Sequence, residues 1–197
     1  QTVEALPALC VLIARSNNQI VNIEHISINQ RGIVIPKQPG MLSGVKISFI
    51  TPIRSELHYL YYFTTNLSNQ EIAKNSELIK FINTRNNIVT YLKSAAYLMY
   101  FDRFSSLKEL ILSRSKYLLQ DDSGLPLSDF SPQEWKFRFH GKYSNPGKLF
   151  SNQYQPELWK VYNSKKKTKP LDFVIGDQLS IDHNNLILAI KKNKLPK

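Results

Sequence analysis

Residues 45–63 read VKISFITPIRSELHYLYYF, two alternating segments on either side of Pro52. Every second residue is apolar in both segments: Val45, Ile47, Phe49, Leu57, Tyr59, Tyr61 and Phe63. In a β-strand this period of two places the repeated side chains on one face. The stretch therefore predicts a β-hairpin with one buried face.

The residues before this hairpin are also predicted to form strands. Residues 9–15 are apolar and partly β-branched, and residues 16–19 have the composition of a turn. Further on, the apolar positions change from odd to even numbers between Ile23 and Ile26. A change of phase inside one strand predicts a β-bulge near Glu24 and His25.

Three helices are predicted after the hairpin. Ser68 and Glu71 have the spacing of a capping box, which opens the first helix. The second is predicted over residues 88–101 and the third over residues 106–119, because apolar residues recur there at three- and four-residue spacing.

The last third is predicted to return to short strands. Large aromatic residues alternate there with basic ones: Trp135, Phe137 and Phe139 with Lys136, Arg138 and His140. Residues 171–175 and 186–190 are further strand candidates, and a short helix is predicted at 155–162. Strands, then helices, then strands predict an α+β fold, packed as one domain over residues 1–197.

The charge is concentrated towards the carboxyl end. The chain has a net charge of +11, of which residues 136–197 contribute +9 from 13 basic and 4 acidic side chains. This excess predicts an anionic partner, such as an anionic ligand, a glycan or a membrane surface. The alternative is a lysine-rich solvated surface that keeps the protein in solution. Twelve of the 13 basic residues are lysines, which disfavours nucleic acid as the partner.

Several classes of protein lack support in the sequence. The single Cys10 lies in an apolar run, which predicts a packed and unreactive thiol. No apolar stretch approaches the ~20 residues that span a bilayer, so no transmembrane segment is expected. No nucleotide-binding, metal-binding or nucleophile motif occurs, so no cofactor and no metal are predicted.

Asp121-Asp122-Ser123-Gly124 is the first candidate site. These residues follow the third predicted helix, where the helix dipole disfavours carboxylates. Residues that oppose local preference are more frequent at functional sites, so Asp121 and Asp122 are candidate catalytic acids or bases. The alternative is a turn whose side chains accept hydrogen bonds from backbone N–H groups.

A second candidate site is a ligand-binding one. Lys93, Tyr97 and Tyr100 share the polar face of the second predicted helix and could line a pocket. Arg138 and Tyr143 belong to the basic and aromatic segment that follows and could bind an anionic ligand. The alternative for both groups is an ordinary solvated surface.

Three segments of the chain resemble a family of uncharacterised, exported bacterial proteins. They are residues 91–99 (YLKSAAYLM), 119–126 (LQDDSGLP) and 135–146 (WKFRFHGKYSNP), within a region that extends to Phe150. The resemblance implies an extracytoplasmic location, which is periplasmic, at the cell surface or secreted, and a C-terminal portion of a longer protein. The family has no assigned activity. His140 stands where the family has an aromatic residue, which disfavours a chemical role for His140.

Two hypotheses of function follow. In the first, the chain is a non-catalytic binding domain of an exported bacterial protein, and its basic C-terminal third engages an anionic partner. In the alternative, it is a hydrolase-like enzyme in which Asp121 or Asp122 acts as acid or base, with Lys93 and Tyr97 in the pocket. The second hypothesis predicts that these side chains converge.

Overall fold

The computed structural model describes residues 2–52, 55–85, 88–92, 96–164, 168–172 and 184–192. Helices and strands are both abundant, which confirms the α+β class. The chain divides into two compact units, Gln1–Arg85 and Asn86–Lys197. The packing of all 197 residues as one domain stays a prediction.

The first unit is a four-stranded antiparallel sheet with helices. Its elements are α1 (Thr2–Arg15), β1 (Gln19–Ile28), β2 (Val34–Pro36), β3 (Ser43–Thr51), β4 (Glu56–Phe63), α2 (Asn69–Lys74) and α3 (Ser76–Asn83). The strand order is β2-β1-β3-β4. On one face, Ile13 of α1 packs against Val45 and Ile47. On the other, Phe81 of α3 meets the rings of Tyr61 and Phe63.

The predicted strand at residues 9–15 is wrong, because these residues belong to α1. The side chains that face the sheet have helical spacing: Leu6, Leu9, Cys10 and Ile13. An apolar run of this length fits both the helical period and the strand period, and packing on the sheet stabilises the helix. Cys10 is a free thiol that is partly buried in this contact.

The predicted hairpin is confirmed, but its faces differ from the prediction. Val45 lies opposite Tyr62 and Ile47 opposite Leu60, so Leu57 and Tyr59 project from the other face. Both of these are 49% exposed. Helices contact both faces of the sheet, so apolar residues occur in both phases along a strand. The predicted bulge at Glu24 and His25 is wrong, because a change of phase of the apolar residues does not require a bulge when both faces of the sheet are contacted. The register shift lies between Ile20 and Asn22.

The second unit is a four-stranded mixed sheet. Its elements are β5 (Ile88–Leu92), α4 (Ser105–Arg114), β6 (Ser115–Gln120), β7 (Trp135–Gly141), α5 (Pro156–Tyr162) and β8 (Asn185–Lys191), with short 3₁₀ turns between them. The strand order is β5-β6-β8-β7. β5 and β6 are parallel, and the other two pairs are antiparallel.

The core of the second unit lies on one face of this sheet. Ile111 of α4 packs with Leu118 and Ala189, and Leu158 of α5 packs with Ile187. The aromatic side of β7 faces the same core: Trp135 is buried, while Lys136 and Arg138 are exposed on the opposite side. The predicted alternation of β7 is therefore confirmed.

The second predicted helix is wrong, and the third is wrong in extent. Residues 88–92 form β5, since the β-branched and aromatic run from Ile88 to Tyr91 favours a strand. The third helix ends at Arg114 and the chain continues as β6. The Ser115 hydroxyl lies 2.6 Å from that of Thr90, so pairing with β5 begins where the helix stops.

The remaining predicted elements have mixed outcomes. Ser68 is at the N-cap as predicted, but its side chain makes no cap bond, and the helix breaks at Asn75 into α2 and α3. The short helix after Pro156 and the strand at 186–190 are confirmed by α5 and β8. Most of the predicted strand at 171–175 lies outside the described residues.

Candidate functional site

Two parallel strands bring the predicted site residues together. Leu92 of β5 lies opposite Gln120 of β6, and the carboxyl ends of parallel strands meet at the same edge of a sheet. Tyr97 follows β5, and Asp121 follows β6. Tyr97 was predicted on a helix, and Asp121 and Asp122 were predicted to follow one. Since Asp121 follows a strand instead, the helix-dipole argument for the two aspartates does not apply. Lys93 lies outside the described residues.

Asp122 lies at the centre of a buried polar cluster. The residue is 1% exposed. The Tyr97 hydroxyl donates to its Oδ2 at 2.5 Å, and the Asn185 side-chain amide donates to its Oδ1 at 2.8 Å. The backbone N–H of Gly147 donates to the same Tyr97 hydroxyl at 3.3 Å. Asp122 and Tyr97 therefore join the chain after β5, the end of β6, the start of β8 and the loop after β7.

Asp121 forms a local turn. Its Oδ1 accepts the backbone N–H of Ser123 at 2.9 Å and the Ser123 hydroxyl at 2.6 Å. Burial raises the pKa of the Asp121 carboxyl, the Ser123 hydroxyl bond opposes that rise, and the Asp122 charge adds to it. This geometry is that of the predicted alternative, an Asp-Ser-Gly turn whose carboxylate accepts backbone N–H groups.

Gln155 and Gln120 complete the cluster, and the sequence analysis missed both. The Gln155 side-chain amide donates to the Asp122 carbonyl at 3.0 Å and accepts from the backbone N–H of Leu127 at 3.3 Å. The Gln120 amide both donates to and accepts from the backbone of Leu125. A glutamine in a strand or before a helix gives no distinctive sequence pattern, so only the tertiary structure shows that these side chains are buried.

Tyr143 belongs to the buried polar cluster. It is 4% exposed, and its hydroxyl accepts the backbone N–H of Gln155 at 3.2 Å. Burial raises the pKa of Tyr143 to about 12, the Gln155 N–H opposes the rise, and the Asp122 charge adds to it. Tyr143 therefore does not lie on an exposed surface, and its role in ligand binding stays a prediction.

Two buried polar atoms of the cluster make no hydrogen bond within the described part of the chain. They are the Tyr100 hydroxyl and the Asn185 Oδ1. The Gln155 side chain is close enough to Tyr100 to oppose the rise that burial causes in its pKa, but it does not reach hydrogen-bond geometry. Each such atom costs about 1–3 kcal/mol of stability.

The backbone beside Asp122 is strained. Ala96 and Tyr97 are consecutive non-glycine residues in the left-handed region, with φ of 48° and 57°. Each costs about 1–2 kcal/mol relative to right-handed backbone. The backbone N–H of Tyr97 donates to the carbonyl of Ser123 at 3.2 Å, which fixes the turn. Such strain persists only where the surrounding contacts hold it.

The two carboxylates of the cluster are enclosed by neighbouring groups. Asp121 and Asp122 are 3% and 1% exposed, and both accept hydrogen bonds from neighbouring side chains. A general acid or base must come within hydrogen-bond distance of its substrate. In this geometry Asp122 connects separate parts of the second unit and Asp121 stabilises a local turn, so these hydrogen bonds of both carboxylates come from neighbouring groups of the chain.

The other face of the second unit's sheet carries the predicted ligand residue Arg138. The register aligns its side chains in two rows across all four strands. The first row is Val89, Tyr117, Ile190 and Lys136, and the second is Tyr91, Leu119, Leu188 and Arg138. We call these eight residues the open face. Among the described residues, neither hydrophobic cluster of this unit includes any of them.

The open face is apolar on three strands and basic on the fourth. Val89 and Tyr91 of β5 are 62% and 51% exposed, and Lys136 and Arg138 of β7 are exposed at the other edge. Lys116 adds a cation 5.7 Å from the centre of the Tyr117 ring. The surface can therefore offer both apolar contact and positive charge to one partner.

In the described ranges, no three His, Cys, Asp or Glu side chains gather as a metal site would require. None of the helices in those ranges is both long enough and apolar enough to cross a bilayer.

The chain was compared with protein-family models, with curated proteins and with solved structures, and it matches none of them.

Proposed function

We propose that this chain is a non-catalytic binding domain of an exported bacterial protein, and that it engages an anionic partner. The open face is the binding surface, with Lys136 and Arg138 as the cationic contacts. The observation that carries the proposal is the register of the sheet, which continues two apolar rows into these two exposed cations. The export of the protein rests on the family resemblance of residues 91–150.

The charge distribution supports the proposal. Residues 136–197 hold 13 basic and 4 acidic side chains, so the unit that carries the open face also carries most of the positive charge. A local excess of this kind attracts an anionic partner over a distance of about 10 Å at moderate salt. The strand pairing then determines which cations lie beside apolar surface.

The hydrolase-like alternative has less support. The contact of Tyr97 with Asp122 agrees with the convergence that this hypothesis requires. However, both carboxylates are buried and their oxygens accept hydrogen bonds, so a substrate would have to displace Tyr97 or Ser123. We therefore favour the binding function.

The test is binding to two defined acidic polymers, heparin and poly-glutamate, at low and at high salt. We expect the wild-type chain to bind both, and its affinity to fall steeply with salt because the contact is electrostatic. The double variant Lys136→Gln/Arg138→Gln should bind at least about tenfold more weakly, since each cation contributes on the order of 1 kcal/mol.

The matched control is Lys37→Gln/Lys160→Gln, which removes the same charge from exposed positions outside the open face. This control should bind within about twofold of wild type if location matters more than net charge. Equal losses in both double variants, or no binding to either polymer at low salt, would refute the proposed function.

A further inference from the structure

We propose that the anionic partner is a lipid surface, and that the open face lies against a bilayer containing anionic lipids. This inference rests on the proposed function and makes it more specific. The protein would be a peripheral membrane-binding domain that contacts headgroups through β7 and the acyl boundary through β5 and β6.

The open face is largely apolar. Six of its eight residues are apolar or aromatic: Val89, Tyr91, Tyr117, Leu119, Leu188 and Ile190. Val89 and Tyr91 leave more than half of their surface in water. Tyrosine is well suited to a membrane interface, because its ring enters the apolar region while its hydroxyl stays hydrated. A purely electrostatic partner would gain nothing from these side chains.

The cations lie at the borders of the apolar residues. Lys136 and Arg138 end the two rows at β7, and Lys116 lies beside Tyr117 on β6. Positive charge therefore flanks the apolar residues in more than one direction, as it does on proteins that lie in the interfacial plane. A single contact with an anionic lipid surface can satisfy all of these groups at once.

The cations of the C-terminal third are almost all lysines. Residues 136–197 contain twelve lysines and one arginine. Arginine suits bidentate recognition of phosphate and of bases, whereas an ammonium group acts as a point charge. A bilayer presents diffuse negative charge without fixed geometry, so lysine suffices there. Single-stranded nucleic acid could stack on Tyr91 and Tyr117, but Leu119, Leu188 and Ile190 lie between those rings and the cations of β7.

The experiment is co-sedimentation of the full chain with vesicles, at moderate salt. One set is phosphatidylcholine with about 30% phosphatidylserine, and the other is phosphatidylcholine alone. We expect binding to the first and at least about tenfold weaker binding to the second. Lys136→Gln should weaken the binding about fivefold, while Lys160→Gln, on α5 at the opposite face, should leave it within about twofold.

A second pair of variants tests the apolar contact. Val89→Thr keeps a β-branched side chain in the strand but removes apolar surface, so vesicle binding should fall about three- to fivefold. Val21→Thr is the matched control, because Val21 is an exposed strand valine of the first unit, 55% exposed. Its vesicle binding should equal that of wild type. Thermal unfolding of each variant confirms that the fold is retained.

The outcomes separate this inference from the proposed function. If heparin binding depends on Lys136 and Arg138 but phosphatidylserine vesicles do not bind, the lipid surface is wrong and the anionic-partner function stands. If vesicles bind but Val89→Thr has no effect, the contact is electrostatic alone and the insertion of the open face is wrong. Tighter binding to an oligothymidine strand than to the vesicles would overturn the inference in favour of nucleic acid.

Discussion

Asp122 is the residue through which separate parts of the second unit are joined. Its carboxylate accepts from Tyr97 and Asn185, and its carbonyl accepts from Gln155. Burying a carboxylate is costly unless hydrogen bonds replace its hydration. Here the donors come from distant positions in the chain, so the bonds that stabilise the carboxylate also connect the loops.

Asp122 and Asp121 should respond differently to neutralisation. Asp122→Asn replaces one acceptor oxygen by an NH₂ group, so the hydrogen bond from Tyr97 or that from Asn185 loses its acceptor, and the free energy of unfolding should fall by about 2–4 kcal/mol. Asp121→Asn keeps an oxygen for both bonds from Ser123. Burial raises the pKa of Asp121, so its neutral isostere should cost less than about 1 kcal/mol.

Urea denaturation of the two single variants at neutral pH measures this difference. Equal losses in both variants would contradict the assignment of Asp122 as the connecting group. Full stability of Asp122→Asn would instead favour a functional role for this carboxylate, because functional groups are often retained at a cost to the fold.

The two tyrosines of the cluster provide a matched pair. Tyr97→Phe removes a hydroxyl that donates to Asp122 and accepts from Gly147, so we expect a loss of about 1–3 kcal/mol. Tyr100→Phe removes a buried hydroxyl without a hydrogen-bond partner among the described residues, so stability should be unchanged or higher. Thermal and urea unfolding of both variants test this. The reverse order would show that Tyr100 has the more important contact.

At the residue scale, the sequence identified the aspartates and not their partners. Two adjacent acids before Ser-Gly are visible as a pattern, and both proved to belong to a hydrogen-bonded cluster. Gln155 and Asn185 were not predicted, since an isolated amide residue gives no periodic signal. Tyr97 was predicted as a site residue, but on the polar side of a helix that does not form.

At the element scale, the parallel pairing of β5 and β6 positions the cluster. Parallel strands need a crossover connection, which here contains α4. The two carboxyl ends then lie side by side, and the residues that follow them meet. The same pairing places Val89 and Tyr91 in line with Tyr117 and Leu119 on the open face. One structural feature therefore produces both candidate sites.

The end of β7 should be sensitive to any side chain at Gly141. Its φ is +80°, and an added Cβ would lie 2.0 Å from the Asn184 carbonyl oxygen, beside β8. Gly141→Ala should therefore cost about 2–4 kcal/mol, from left-handed strain and a backbone clash. Gly40→Ala is the control, because Gly40 has a φ of +74° but no atom within 4 Å of a new Cβ.

We expect Gly40→Ala to cost only about 1 kcal/mol, the strain alone. The difference between the two variants in chemical denaturation isolates the clash. A loss at Gly141 no larger than that at Gly40 would mean that β7 and β8 separate easily at this end.

Among the elements, the predictions were confirmed where apolar residues recur at every second position and one face of the strand is buried. β7 is such a strand, with Trp135 inward and Arg138 outward. Predictions failed at residues 9–15 and 88–101, where apolar residues satisfy both helical and strand spacing. In those segments the contact with another element determines whether a helix or a strand forms, and that element is distant in sequence.

At the scale of the whole molecule, the single-domain prediction expects one cooperative unfolding transition. Ile47 and Leu118 are both fully buried, one in each unit. Ile47→Ala and Leu118→Ala should each cost about 2–5 kcal/mol and lower the same Tm. Differential scanning calorimetry provides the measurement. Two transitions, each shifted by only one of the variants, would show that the units are independent domains.

The sequence by itself determined the α+β class, the hairpin around Pro52, β7, α5, β8 and the concentration of positive charge in the last third. These features depend on local alternation, local breakers and composition, which act over a few residues. The tertiary structure alone decided that β5 pairs in parallel with β6, that Asp122 is buried against Tyr97, and that Arg138 continues an apolar row. Such contacts join residues far apart in the chain, and their free energy comes from packing and burial that no local pattern specifies.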